Sequence, residues 1–451
     1  MKFNIVLPTE VESIITHLHN FGYESYVVGG CVRDSILGKI PHDWDICTDA
    51  TPDIVMKLFA DYNVVPTGLQ HGTVTVVINH MPYEITTFRI DGDYSDNRRP
   101  DKVEFTTDIV EDLSRRDFTI NAMAYNPTIG LIDPFHGLND IQNKLIRCVG
   151  NADDRFNEDA LRIMRALRFA STYGFVINED TSSAVHCNVA LLNNIAKERI
   201  NTELCKLLCG QGVLDILLNY SDVIATIIPE LKPCIGFNQN NRYHQYTVYD
   251  HIAHAVSNYT GSDIVVKVAL LLHDIGKPTC YTEDENGGHF HGHGVPSSQL
   301  AKQVVERLRF DNRAQQDIVE LVLYHDAILD STVKVAKRWL NKIGEQQLFR
   351  LLDIRMADIL AHTEGTQASR IERCVTLRTL VNDVLVTRQC FQLKDMAVNG
   401  SDLIREGMKQ GKVIGEVLNW LLEMVINGEV ENEKEKLLNL VKLQFQMIDK
   451  E

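Results

Sequence analysis

Two hydrophobic periods divide the chain. Over the first 145 residues the apolar positions come as short strand-like runs. Residues 26–28 (YVV) are aromatic and β-branched and predict a buried strand that ends at Gly29-Gly30. Residues 74–78 (VTVVI) and 83–88 (YEITTF) predict two adjacent strands around a turn at Met81-Pro82. The stretch LIDPFHGLNDIQNKLIRCVG then predicts a closing hairpin and a linker, with a turn at Asp133-Pro134. From about residue 146 the spacing becomes helical. In residues 156–170, Leu161, Met164, Leu167 and Phe169 fall on one side, while Asp159, Arg162, Arg165 and Arg168 follow one another at spacing three as a charged ridge. A further helix opens at Lys197, and Pro229 and Pro233 close the block. The pattern predicts an α+β fold: a small mixed-sheet head (1–145), a mostly helical neck and body (146–235), a helical domain (236–365) and a helical tail (366–451).

At 451 residues the chain is long enough for about three domains, and 44% hydrophobic with 24% charged residues is ordinary for a soluble protein. The first residues lack the basic flank and apolar run of a signal peptide. The longest apolar runs, such as residues 268–272, are too short for a bilayer, so a cytoplasmic location without membrane contact is expected. Ten cysteines without a CxxC pair read as reduced core residues, and Cys205 with Cys209 as helix packing. A net charge of −16 argues against a generic nucleic-acid binder, so any RNA contact must come from local basic patches.

The candidate chemistry begins at YVVGGCVRDSILGKIPHDWD, residues 26–45. Gly29 and Gly30 let backbone amides approach a phosphate, and Asp43 and Asp45, two apart in an extended segment, project from one face toward a common cation. Hard oxygen ligands suit Mg²⁺, which completes its shell with substrate phosphates and water. The combination suggests a nucleoside triphosphate held for nucleotidyl transfer; taken singly, a DxD is commonly a solvated turn and Gly-Gly a loop. Strand, Gly-Gly, Arg33-Asp34, short linker and DWD together resemble the signature of class II tRNA nucleotidyltransferases and bacterial poly(A) polymerases of the polymerase β superfamily.

That resemblance implies roles for further residues. Glu84, on a neighbouring strand, would be a third carboxylate beside Asp43 and Asp45, or else a surface charge. Residues 91–100 (DGDYSDNRRP) resemble the flexible loop of CCA-adding enzymes and favour complete CCA synthesis. SRRDFTINAMAY, from Ser114, resembles the second motif: Arg115 and Arg116 fit phosphate oxygens, Asp117 orients an arginine or accepts from a ribose hydroxyl, and Asn121 bonds the sugar. If a helix starts there, Asp117 and Asn121 share a face. EDALR matches the family's EDxxR motif, implying that Asp159 and Arg162 read the base edge, with Glu158 beside them and Arg165 and Arg168 extending the nucleotide site; a salt-bridged solvated face is the alternative. Lys197, Glu198 and Arg199 resemble the last motif, which supports the nucleotide-binding helix or meets the tRNA acceptor end. The implied reaction is addition of C, C and A to tRNA from CTP and ATP, with Mg²⁺ on Asp43 and Asp45. A poly(A) polymerase or a partial adder of CC or A is the rival, although poly(A) polymerases usually carry a basic C-terminal extension that this acidic chain lacks.

Imidazoles and carboxylates also recur on successive apolar helices from His251 to Asp358, a pattern that suggests convergence on metal. LLHDIGKP resembles the HD phosphohydrolase superfamily. Its ligand order implies His251, His273, Asp274 and Asp358 at one divalent transition metal, with His293 and His325 resembling ligands of a second. The motif implies phosphoester hydrolysis by metal-activated water, either trimming 2′,3′-cyclic or 3′ phosphates from tRNA ends or acting as the main activity beside an RNA-binding head; a scaffold that holds tRNA is the other reading. In the tail, Gly407, Gly411 and Gly415 recur every four residues and suggest close approach of helices or backbone. Arg405, Lys409 and Lys412 are available for phosphates, and the stretch resembles the region that would hold the tRNA elbow.

Overall fold

Seven strands form one mixed sheet in the order β3-β4-β5-β2-β1-β8-β9: β1 (Ser25–Val28), β2 (Ile46–Thr48), β3 (Asn63–Gly68), β4 (Thr73–Ile78), β5 (Met81–Thr87), β8 (Ala124–Asn126) and β9 (Gly130–Ile132). A separate ribbon pairs β6 (Arg89–Asp91) with β7 (Val103–Phe105). Only β2 and β5 run parallel, with Ile46 opposite Ile85; the other neighbours are antiparallel. This computed structural model describes residues 4–92, 102–285 and 287–448.

β1 is buried along its whole length because both faces are covered. Ser25 bonds the Ile15 carbonyl of α1 (Thr9–Asn20), while Tyr26 and Val28 point the other way into a cluster with Phe88, Leu113 and Ala122. The β4–β5 turn lies at Asn79-His80, not at Met81-Pro82. Both turn residues have positive φ (51° and 66°), as a tight primed turn needs, while Met81 and Pro82 already pair with Ile78 and Val77. The remaining head helices are α2 (Gly30–Ile36), α3 (Pro52–Leu58), α4 (Ile109–Ser114) and α5 (Gly137–Gln142). Part of the predicted linker is thus α5, and β10 (Leu145–Ile146) pairs in parallel with β11 (Val176–Ile177).

The chain forms two compact units, Met1–Lys232 with Arg307–Phe310, and Pro233–Glu306 with Asp311–Glu451. The first continues beyond the sheet through α6 (Ala152–Glu158), α7 (Leu161–Tyr173), α8 (Glu179–Cys187), α9 (Lys197–Leu208), α10 (Val213–Asn219) and α11 (Ser221–Ile227). The single helix predicted over residues 156–170 is therefore two. Asp159 is extended, and its side chain accepts from the Leu161 amide at 3.0 Å, so it ends α6 and caps α7.

The second unit contains α12 (Val248–Asn258), α13 (Ile264–Leu272), the hairpin β12 (Thr282–Asp284) and β13 (Gly287–His289), α14 (Gly294–Arg307), α15 (Asn312–Tyr324), α16 (Val333–Leu360), α17 (Ala368–Val386), α18 (Gly400–Arg405), α19 (Lys412–Asn427) and α20 (Lys434–Ile448). α13 is apolar except at Lys267 because every residue from 265 to 272 is buried, and the Lys267 ammonium donates to the Val256 carbonyl at 2.8 Å. α16 is broken at Gly344 (φ 80°) and packs against α17 through Leu340, Leu348, Leu352, Leu377 and Val381. The glycine spacing in the tail is not a packing face. Gly407 turns the chain after α18 at φ 100°, Gly411 precedes α19, and a Cβ on Gly407, Gly411 or Gly415 would meet nothing within 4 Å. All ten cysteines are free thiols, and among the described residues no helix is long and apolar enough to cross a membrane.

Candidate functional site

The first site is built at the end of β1. Gly29 turns the chain at φ 79°, ψ −123°, so the predicted loop is instead the immediate start of α2 at Gly30. A Cβ on Gly29 would stand 2.9 Å from Arg116 Nη1, which shows how closely that guanidinium lies against the turn. The Val28 amide donates to the Asp45 carbonyl at 3.0 Å, which fixes Asp45 beside this corner. Both Asp43 and Asp45 reach solvent. Desolvation pushes the Asp45 carboxyl up, Arg116 opposes that, and Asp43 adds to it. Glu84 is exposed and lies one residue before the Ile46–Ile85 pair, level with Asp45 on the adjacent strand. Oxygen-only donors whose charges repel suit a hard divalent cation.

α4 ends at Ser114, so Arg115, Arg116 and Asp117 follow a helix rather than open one, and Asn121 closes a 3-10 turn. Asp117 and Asn121 still meet, with Asn121 Nδ2 donating to Asp117 Oδ1 at 3.0 Å. Arg115 and Arg116 both grip the buried Asp112, at 2.7 and 3.3 Å. Arg33 donates to Asn121 Oδ1 at 2.5 Å and to Asp34 at 2.9 Å, with its guanidinium about 5 Å from the rings of Phe169 and Tyr173. Tyr173 in turn donates to Asp34 at 3.0 Å. Asp117 joins these groups to α7 by accepting from Arg165 Nε at 2.8 Å. Burial would raise the Asp117 carboxyl, but Arg165 and Asn121 outweigh it and hold the group well below the usual carboxylate range.

The arginine ridge of α7 is turned inward. Arg162 is buried, bonds Glu158 at 2.6 Å and donates to the Arg115 carbonyl at 3.0 Å. Arg168 pairs with Glu203 at 2.6 Å and lies 3.7 Å over the Phe169 ring. Asp159 pairs with Arg199 of α9 at 3.0 Å, so Asp159 and Arg162 are each held by another partner.

The second site lies among α12, α13, α15 and α16. His251 Nε2 is 2.9 Å from Asp358 Oδ1 and 3.4 Å from Asp274 Oδ2; His273 Nε2 is 3.2 Å from Asp274 Oδ2. On the other oxygen of Asp274, His293 Nε2 approaches to 3.1 Å and His325 Nε2 to 3.5 Å. Two ligand groups thus share Asp274, and a third contains His251, Asp358 and His362. His273, His293 and His325 each use Nδ1 to donate to the carbonyl three residues earlier, at 2.7, 2.8 and 2.7 Å, so that in the neutral ring Nε2 is the bare acceptor. Yet the Nε2 atoms of His293 and His325 face each other at 2.9 Å, and His273 Nε2 is buried without a hydrogen-bond partner. Two lone pairs at that distance repel unless a proton or a metal cation sits between them. The C-termini of α13 and α15, whose caps are His273 and His325, add partial negative charge. The donors therefore fit divalent transition metal. A cavity of about 730 Å³ opens onto this centre.

Comparison with known proteins places the whole chain. The Poly A polymerase head domain family matches residues 25–147, the family described as the probable RNA and SrmB-binding site of polymerase A matches 174–235, and a putative tRNA nucleotidyltransferase domain 2 matches 296–441. The CCA-adding enzyme of Oceanobacillus iheyensis is 53% identical over 200 residues, 44% of this chain and 50% of that protein. That of Lactobacillus delbrueckii subsp. bulgaricus is 33% identical over 430 residues, 94% of this chain and 95% of that protein. The chain belongs to the CCA-adding enzymes. Among solved structures, the Bacillus stearothermophilus CCA-adding enzyme in complex with CTP is 29% identical with a TM-score of 0.73, covering 99% of this chain and 100% of that one. The Thermotoga maritima CCA-adding enzyme complexed with tRNA shares the fold at 21% identity and a TM-score of 0.64, covering 97% and 96%.

Within this CCA-adding enzyme, the predicted residues of the first site all lie in one unit and those of the second in the other. Residues 93–100 of the predicted flexible loop lie outside the described residues. Sequence reading missed several groups. Tyr173 and Phe169 flank Arg33. His362 sits beside Asp358 with its ring 5.1 Å from that of His251. Lys277 bonds Asp274 at 2.6 Å. His362 follows Asp358 at helical spacing and was readable; the aromatic cradle of Arg33, more than 130 residues distant, was not.

Proposed function

We propose that this protein adds C, C and A to tRNA 3′ ends from CTP and ATP without a nucleic-acid template. The tRNA 3′ oxygen forms a bond to the α-phosphorus, the α–β bridging bond breaks, and pyrophosphate leaves. Asp43 and Asp45 hold Mg²⁺ with Glu84 as the third carboxylate. Bound Mg²⁺ supplies the positive charge that favours loss of the hydroxyl proton and neutralises the triphosphate. Gly29, Gly30, Arg33 and Asp34 shape the triphosphate corner. Arg115, Arg116, Asp117 and Asn121 position sugar and phosphate. Asp159 and Arg162 meet the base edge, with Arg165 and Arg168 behind them. The observation that carries this reading is the Asp117–Arg165 bond, which ties the sugar-phosphate motif to the base-reading helix. The working division is head (1–145), neck and body (146–235), HD domain (236–365) and tRNA-binding tail (366–451).

The test is to incubate the protein with tRNA ending before CCA, supply CTP and ATP singly and together, and sequence the 3′ ends. Complete CCA only with both nucleotides is expected; oligo(A) tails or arrest at CC would overturn the assignment.

The opposed Nε2 atoms of His293 and His325 favour a second reading, that residues 236–365 form an HD phosphohydrolase. Its donors, His251, His273, Asp274, His293, His325 and Asp358, hold the metal, which supplies Lewis-acid charge at a phosphoryl group. The activity removes terminal phosphate from damaged tRNA ends: water oxygen bonds to phosphorus, the bond to the ribose oxygen breaks, and that oxygen takes a proton. Phosphatase activity lost in Asp274→Ala, with CCA addition unchanged, is the expected result. Hydrolysis that persists in Asp274→Ala would remove this reading.

A further inference from the structure

A smaller cavity of about 200 Å³ adjoins the His/Asp centre and has no role in either reaction above. It is lined by Arg355, Arg370 and Arg373 with apolar walls that include Ile328 and Leu377, and it shares Asp326 and Arg370 with the larger cavity at the metal ligands. The two spaces therefore meet. Arg355 is anchored to the ligand helix by donating to the His325 carbonyl at 2.8 Å, and Arg370 reaches to 3.7 Å from Asp358. Arg355 and Arg373 both lie near enough to oppose the charge on Arg370.

Three guanidiniums converging on one concavity repel each other, and the carboxylates present offset this only in part. Asp326 is 4.0 Å from Arg355, at the limit of an ion pair, and its side chain is largely exposed. Asp330, also on the wall, is exposed. Among the described residues Arg373 makes no ion pair; its Nε donates to the Ser369 carbonyl at 3.3 Å. Guanidiniums in such a cluster suit the oxygens of a phosphodiester. Ile328, 86% exposed on the rim, offers an apolar face to a nucleobase.

We propose that this arginine pocket is a second phosphate subsite of the His/Asp centre, so that its substrate is an RNA 3′ end carrying a terminal phosphate, with the preceding phosphodiester held by Arg355, Arg370 and Arg373. The proposal rests on the phosphohydrolase reading and narrows it. A lone nucleoside phosphate fills only the metal side, whereas a dinucleotide fills both.

The test compares adenosine 3′-monophosphate with the adenylyl dinucleotide bearing a 3′-phosphate, using the full-length protein with Mn²⁺, Co²⁺ or Ni²⁺. The expected kcat/KM for the dinucleotide exceeds that for the mononucleotide by about tenfold. Arg373→Gln, an exposed side chain whose loss leaves the melting temperature unchanged, removes that advantage through KM. It leaves the mononucleotide rate within about twofold, and Arg373→Lys retains part of the preference. Equal rates on both substrates, or equal loss on both in Arg373→Gln, overturns the subsite. Calorimetric binding separates the two readings. No hydrolysis with any of the metals, but dinucleotide binding that is tighter and sensitive to Arg373→Gln, removes the hydrolase and keeps the subsite. No binding preference removes the subsite whatever the rates show.

Discussion

Asp117→Asn isolates the contact on which the first unit depends. The carboxylate is 8% exposed and accepts from four donors: Arg165 Nε at 2.8 Å, Arg165 Nη2, Asn121 Nδ2 at 3.0 Å and the Phe118 amide at 2.8 Å. Asparagine keeps the volume but carries one NH₂ group. Either orientation sets that group against donors and leaves Arg165 without its counter-charge. Removing one partner of a buried ion pair costs about 3–5 kcal/mol. The Arg165 side chain is 33% exposed, so water recovers part of this and about 2–3 kcal/mol remains. For a unit of this size each kcal/mol lowers Tm by about 2–4 °C, which gives a fall of about 4–12 °C.

Activity falls as well, because Asn121 and Arg165 lose their common anchor and Arg33 is held through Asn121. A misplacement near 1 Å costs about a hundredfold in rate. Circular dichroism melting and CTP incorporation into tRNA ending before CCA measure the two effects. In a double-mutant cycle with Arg165→Gln, the coupling should exceed about 1 kcal/mol. A variant that melts within 1 °C of wild type and incorporates CTP normally, or a cycle additive within about 0.5 kcal/mol, refutes the reasoning.

The depressed carboxyls of Asp117 and Asp112 set a pH window. Folded-state pKa values below the unfolded value of about 3.9 mean that their stabilisation is fully present above that pH and is lost as pH falls further. The Tm gap between wild type and Asp117→Asn should therefore be constant from neutral pH to about 5 and narrow below about 4; a gap that widens in acid contradicts this. Gly29→Ala forces a side chain into φ 79°, ψ −123° and against Arg116 at 2.9 Å, so urea unfolding should show a loss of about 1–3 kcal/mol, and wild-type stability would exclude the strained turn. His293→Ala should lose one equivalent of bound Mn²⁺ relative to wild type after dialysis, read by elemental analysis, with CCA addition intact. Equal metal content would show that His293 is not a ligand.

The head was legible where the signal is local. The run of residues 26–28 in β1, the Gly-Gly corner and the aspartate pair lie within twenty residues, and burial on both faces makes that run continuously apolar. What the sequence concealed is which charges meet. Asp159, Arg162, Arg165 and Arg168 have the spacing of a ridge on one helix, and in water such a ridge pairs along itself. The break at Asp159 changes the geometry, because a carboxylate followed by a free amide two residues on caps a new helix instead of continuing the old one. Asp159 then turns to Arg199, Arg165 to Asp117 and Arg168 to Glu203, each partner at least 35 residues away. Periodicity cannot report such pairs, since it describes one segment at a time.

The His/Asp centre shows the opposite case, in which a local rule produces a long-range result. His273 and His325 each cap a helix, where the last carbonyls lack amide partners, and each ring bonds the carbonyl three residues back through Nδ1. His293 makes the same bond to Phe290 just before α14 begins. That single contact sets the tautomer and aims Nε2 away from its own backbone, so the direction of each ligand is decided within its own segment. The packing of α12, α13, α15 and α16 has only to bring the segments together. A histidine placed in mid-helix would find that carbonyl already bonded and keep both nitrogens free to turn. Moving His325 one residue earlier by deletion of Tyr324 would therefore disrupt the site even if the helix remained intact.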